Sequence, residues 1–194
     1  MNLTYIILAI IAVVILWAIF AYNKLVQLLQ RTKEAWADID VQLKRRHDLI
    51  PNLVEAVKGY AAHERGVFDE VTAARAAATQ VHVDPSKVTP EQIAAMSGAE
   101  NALSASLGKL LAIAEAYPDL KANQNFAQLQ SELSDTENKI QAARRFYNGN
   151  VRDLSITIRS FPGNIIANMF GFKEEKYFDL GDNADEREPV AVKF

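Results

Sequence analysis

LTYIILAIIAVVILWAIFAYN, Leu3 to Asn23, contains no charged residue. A helical run of about 20 apolar residues is what crossing ~30 Å of hydrocarbon requires. Tyr5, Trp17 and Tyr22 stand toward its ends, where amphipathic rings suit the headgroup layer. A cleaved signal peptide would need a basic leading region and a small-x-small site after a shorter apolar run. Only Met1 and Asn2 precede the run, and Phe20-Ala21-Tyr22 makes a poor cleavage site. Residues 1–23 therefore read as a retained transmembrane anchor. Lys24, Arg31 and Lys33 follow it, while no basic side chain precedes it. The positive-inside rule then predicts the N-terminus outside and the C-terminal domain in the cytoplasm. Ala9, Ala12, Ala18 and Ala21 lack the four-residue spacing of a helix-pairing face.

The helical pattern does not stop at the end of the anchor. Leu25, Leu29, Thr32, Trp36, Ile39, Leu43 and Ile50 recur at helical steps, with charged residues between them. No Gly or Pro separates this stripe from the anchor. Pro51 removes a backbone donor and disfavours helical geometry at Ile50, which predicts a kink or short break there. The period then resumes through an alanine-rich stretch to about Gln80. VHVDPSKVTPEQ reads as a linker that ends in a helix start, with Thr89 as cap and Pro90 at the first helical position. That helix runs to about Ala116. Another is expected from Leu120 or Lys121, with Phe126, Leu129, Leu133, Thr136, Ile140, Ala143 and Tyr147 on one face. Asn148-Gly149-Asn150 predicts a bend in it. The fold class is therefore all-α: a long antiparallel, four-helix-like bundle over residues 24–160. Residues 161–194 form a short apolar helix and an acidic tail, expected to be mobile at its end.

Composition excludes several kinds of chemistry. The chain has no cysteine, so disulfides, thiol catalysis and Cys-ligated zinc are out. The net charge of −3 gives no electrostatic case for nucleic acid. His47-Asp48 and His63-Glu64 invite a metal or acid–base reading, but a zincin helix needs a second His four positions after the first. Val67 stands there after His63. His82 is the only other histidine and falls in the linker. No Glu-x-x-His pair, nucleophile elbow or phosphate loop is present. The sequence thus predicts no catalytic residue, metal or cofactor, and a hydrogen-bonded or surface role for each His. An enzyme built on His47, Asp48, His63 and Glu64 would instead hold stoichiometric metal. The basic pairs Arg45-Arg46 and Arg144-Arg145 are expected to meet Asp38, Asp48 and Glu137 within the bundle.

FPGNIIANMFGF, Phe161 to Phe172, is apolar enough to need covering. Phe161, Ile165, Ile166, Met169 and Phe170 are the candidate contact residues, toward the bundle itself, another subunit or the membrane surface.

Three blocks carry a resemblance to a known family: AWADIDVQLKRRHDLIPNLVEAVKGYAAHE (Ala35–Glu64), EAYPDLKANQNFAQLQSELSDTENKIQAARRFYN (Glu115–Asn148) and FPGNIIANMFGF. The chain resembles the LemA family of bacterial membrane proteins over nearly its whole length. It departs at Leu154-Ser155, where members often carry Tyr-Asn. The resemblance implies a single-pass protein of the bacterial inner membrane, with a long-helix bundle inside, and supplies no catalytic residues. The first expectation is a scaffold that self-assembles at the membrane through its bundle and C-terminal hook, losing particle size when Ile166 and Phe170 become Asp. The second is a tether or regulator of another membrane protein, such as a protease or an envelope-stress component. The expected partners are the lipid bilayer, further copies of the chain and that membrane protein.

Overall fold

The computed structural model describes residues 3–81, 83 and 89–178. His82 and the acidic end of the tail lie outside them. Six helices are described: α1 Leu3–Lys58, α2 Arg65–Gln80, α3 Pro90–Glu115, α4 Pro118–Lys121, α5 Gln124–Arg159 and α6 Gly163–Phe170. No strand occurs among the described residues. Helix α1 has 56 residues, which at about 1.5 Å per residue makes it ~84 Å long. Its first part, through Leu16, has almost no protein around it, and the remainder meets α6 and enters the bundle.

Helix α5 runs antiparallel to α1. Leu25 and Leu28 share a core with Leu154. Trp36, Ile39 and Leu43 pack with Ile140, Tyr147 and Val151. Ile50, Leu53, Val54 and Val57 pack with Phe126 and Leu133. Helices α2 and α3 form a hairpin laid on the far end of this pair. The four-helix section is therefore the distal head, and the foot nearest the apolar segment is a two-helix seam. Helix α6 and the segment after it fill that seam.

Two sequence expectations need correction. No break falls at Pro51, since α1 continues through it to Lys58 and the chain turns only at residues 59–64. Pro51 has no N–H to give the carbonyl of residue 47. The Arg75 Nε of α2 donates to that His47 carbonyl at 2.7 Å instead. A side chain from the neighbouring helix thus satisfies the acceptor that the proline strands.

The start of α5 is the second correction. Pro118–Lys121 forms an isolated turn, and Asn123 opens α5 by accepting from the N–H groups of Asn125 and Phe126. The first part of the tail packs on the bundle. Residues 173–178 are an extended strap docked along the seam. Tyr147 donates to the Lys176 carbonyl at 2.8 Å. Asn148 both donates to the Phe178 carbonyl and accepts from its N–H, each at 2.9 Å. The Phe178 ring is fully buried and meets Trp36 edge-on, 5.4 Å between centroids. Asn148-Gly149-Asn150 does not end α5; its asparagine is spent on the strap. Thr89 behaves as its sequence predicts, closing a reciprocal capping box with Gln92.

Arg75→Ala should lower the stability of the head by about 1–3 kcal/mol, because it strands a carbonyl between helices. Pro51→Ala restores the missing donor, so Arg75→Ala should cost clearly less in that background. A double-mutant cycle on thermal unfolding by circular dichroism reads the difference. Equal costs in the two backgrounds would show that Arg75 does not stand in for the proline's absent N–H.

Candidate functional site

Two places on the molecule depart from ordinary bundle packing. One is a buried charge cluster in the head, and the other is the apolar foot.

In the head, Arg46 and Glu100 are each 1% exposed. The Arg46 guanidinium pairs with the Glu100 carboxylate, reaches Glu137 Oε2 at 2.9 Å and donates to Ser104 Oγ at 3.3 Å. His47 Nε2 donates to the second Glu100 oxygen at 2.9 Å. Burial alone would raise the Glu100 pKa. The His47 hydrogen bond and the Arg46 charge outweigh it and hold the carboxyl below its ordinary value. Both Glu100 oxygens are thus engaged by α1. A polar crevice of about 240 Å³ lies beside them, lined in part by Asp40, Lys44, His47, Asp48 and Thr79. It contains no activated nucleophile, and its one buried carboxylate is held ionised by fixed partners. The arrangement ties α1, α3 and α5 together.

Of the expected partners, Glu137 does meet Arg46. Asp48 stays exposed, and His63 is exposed in the turn after α1. His47 joins Glu100 instead of either. Among the described residues no three His, Asp or Glu side chains could hold a metal ion. The sequence reading missed Glu100. Its signal was present: Glu100 follows Met96 by four and precedes Leu103 by three, so a carboxylate stands on the buried stripe of α3. Such a position demands a buried cation.

At the foot, α6 is held close to α5 by a glycine. A Cβ on Gly163 would stand 2.7 Å from the Thr157 carbonyl oxygen, so no side chain fits. Gly171 ends the helix in the left-handed region, φ 72°, and the Phe172 N–H closes onto the Ala167 carbonyl at 2.9 Å. This fixes which way α6 faces. Ile166 and Ala167 point inward onto Leu25, Leu28 and Leu154. Phe161, Ile165, Met169 and Phe170 remain exposed, Phe161 by 80% and Met169 by 68%. The five candidates therefore divide, with Ile166 packed within its own chain and the other four facing out. Ile156 of α5, also exposed, joins the outward group. With Trp17, Phe20 and Pro162 it lines a groove of about 350 Å³ between α1 and the α5–α6 turn.

The foot is tied to the end of the uncharged run. The Tyr22 ring lies 4.8 Å from that of Phe170 and 5.7 Å from that of Phe172. Ala18 and Ala21 pack beneath α6. Among the described residues, α1 is the one helix long and apolar enough to cross a membrane.

The model of the LemA family matches residues 35–194. The chain belongs to the LemA family. It is similar to magnetosome protein MamQ 2 of Paramagnetospirillum magneticum, 26% identical over 174 residues, which covers 81% of this chain and 64% of that protein. It is also similar to magnetosome protein MamQ of Magnetospirillum gryphiswaldense, 25% identical over 178 residues, with 81% and 64% covered. A third relative is protein LemA of Metamycoplasma hominis, 26% identical over 145 residues, with 75% and 63% covered. The chain thus spans a little under two thirds of the length of these relatives. The family match includes the charge cluster, α6 and the strap, and begins after the apolar segment.

Glu100→Gln keeps the shape but leaves Glu137 as the one carboxylate on Arg46, and should cost about 3–5 kcal/mol of stability, as for other broken buried pairs. The pH dependence follows from the lowered Glu100 pKa. Its contribution is complete above the ordinary carboxylate value of 4.5 and is lost as the pH falls through that value toward the lower folded one. Thermal unfolding from about pH 7 to about pH 3 should show the wild type losing its advantage over Glu100→Gln. Parallel curves would show that Glu100 is not the source.

Proposed function

We propose that this LemA-family chain is a membrane-anchored, non-catalytic structural protein that self-assembles at the bacterial membrane. The observation that carries the proposal is the continuity of α1. One unbroken helix holds the apolar segment and the core of the head, so no hinge separates anchor from bundle. A strut of this kind passes position and orientation in the membrane directly to the head. The charges after the apolar segment favour a cytoplasmic head and an outer N-terminus.

The head has a surface suited to contact with further copies. Between Glu91 and Lys109 the only charged residue of α3 is Glu100, which is buried. Its outward positions there include Ala94, Gly98, Ala102, Ala105 and Gly108, all small enough for close backbone approach. A groove of about 470 Å³ beside them, lined by Leu107, Leu111 and Leu133, opens between α3 and α5. A subunit that offers one patch to a different patch on its neighbour builds rings or open arrays.

The test is particle mass in mild detergent for the full-length protein, beside a chain beginning at Lys24. The expected result is large particles of defined mass for the full-length protein. Retention of that mass by the shorter chain would assign assembly to the bundle, with α1 only placing it. Monomers or dimers in both would remove the scaffold reading and favour a tether to another membrane protein. Ile166 is unsuitable as a surface probe, since its substitution would dislodge α6. Gly98→Glu with Ala105→Glu changes only outward positions of α3, and should reduce particle mass while leaving helix content unchanged.

A further inference from the structure

We infer that the outward side of α6, together with Ile156, seats in the headgroup–acyl boundary of the bilayer crossed by α1, so that each copy occupies one leaflet twice. The inference deepens the proposed function and rests on its membrane anchor, naming lipid as what α6 touches.

Depth is the first argument. From Leu3 to Tyr22 the uncharged run is about 30 Å long, the thickness of the hydrocarbon. Whatever places that run in the bilayer brings Trp17–Tyr22 to one edge of the hydrocarbon. Helix α6 is packed on Ala18, Ala21 and Tyr22, so it is carried to the same depth. It has no freedom to stand clear of the interface while Ile166 and Ala167 remain buried.

Chemistry is the second. Residues 161–172 include no charge. The nearest charges are Arg159 and Lys173 on either side, with Lys24 across the groove, all exposed. An apolar face with cations at its margin matches acyl chains below lipid phosphates. Arg159 is paired with Glu174 at 2.8 Å, so Lys24 and Lys173 carry this match.

Size is the third, and it decides against a second copy as occupant. Helix α6 has eight residues, so its outward face is about 12 Å long. A stable protein interface takes about 800 Å² from each partner, far more than this face offers. Lateral contact between copies is thereby left to the bundle.

The chain has no cysteine, so single-cysteine variants of the full-length protein can carry an environment-sensitive fluorophore. Phe161→Cys and Met169→Cys report the foot, Val13→Cys the span, and Phe146→Cys an exposed site farther up α5. The protein is reconstituted in phosphatidylcholine–phosphatidylglycerol vesicles with or without shallow spin-labelled lipid. Probes at 161 and 169 should be blue-shifted and quenched several-fold more by that lipid than the probe at 146, at every protein-to-lipid ratio. Quenching by aqueous iodide as strong as at 146 would overturn the inference. So would a shift that vanishes when the protein is diluted in lipid, since the occupant would then be another copy. A water-exposed probe at 13 would defeat the anchor itself. Monomeric particles with lipid-quenched probes at 161 and 169 would defeat self-assembly and leave this inference standing.

Discussion

A guanidinium removed from water loses several kcal/mol of hydration, and only well-placed partners recover it. Arg46 is recovered by Glu100 from α3 and Glu137 from α5, with Ser104 as a further acceptor. One side chain of α1 thereby fixes both neighbouring helices in register. This matters most for α3, which packs mainly on α2 and touches α1 little elsewhere. Its small side chains do not dictate a single seating against a neighbour. A slide of one turn, about 5.4 Å, would break both bonds to Glu100 and leave charges unpaired in the interior. Specificity that the alanine-rich interface lacks is supplied by electrostatics, and His47, which invites a catalytic reading in the sequence, is committed to that task.

Much of the fold was legible because its signals are local. The α3 start is complete in Thr89-Pro90-Glu91-Gln92, and the outward charges of α1 mark its face over many turns. The apolar character of α6 is plain in its own residues. What was not legible depends on distant partners. Pro51 looks like a break because its effect on the backbone is local, whereas the remedy comes from Arg75 on another helix. Asn148 looks like a weak point in α5 because its partner, the Phe178 backbone, lies 30 positions on. The strap itself reads as acidic tail, since only Phe178 among its residues is driven into the core. Glu100 was passed over because a single carboxylate among alanines carries no spacing pattern of its own.

The candidate contact residues show the same division. Composition identified Phe161, Ile165, Ile166, Met169 and Phe170 as one group. Which of them turns inward depends on the exit angle of α6, set by the close approach of Gly163 to Thr157 and by the left-handed Gly171. Ile156 could not be grouped with them from the sequence, because it belongs to α5 and joins only through the fold.

The foot and the strap act as one closure. Below the α2–α3 hairpin, α1 and α5 have only each other, and two helices alone leave one side of their apolar seam in water. Helix α6 covers Leu25, Leu28 and Leu154, and Phe178 covers Trp36 and Tyr147. The strap between them is held by Arg159, Ser155, Tyr147 and Asn148. Removing α6 from the seam would expose the lower core and pull on the strap, whose end is locked beneath Trp36. The apolar face of α6 is therefore not a mobile appendage that finds a partner by swinging out. It is held at a set height on α1, and that height is where the uncharged part of the helix ends.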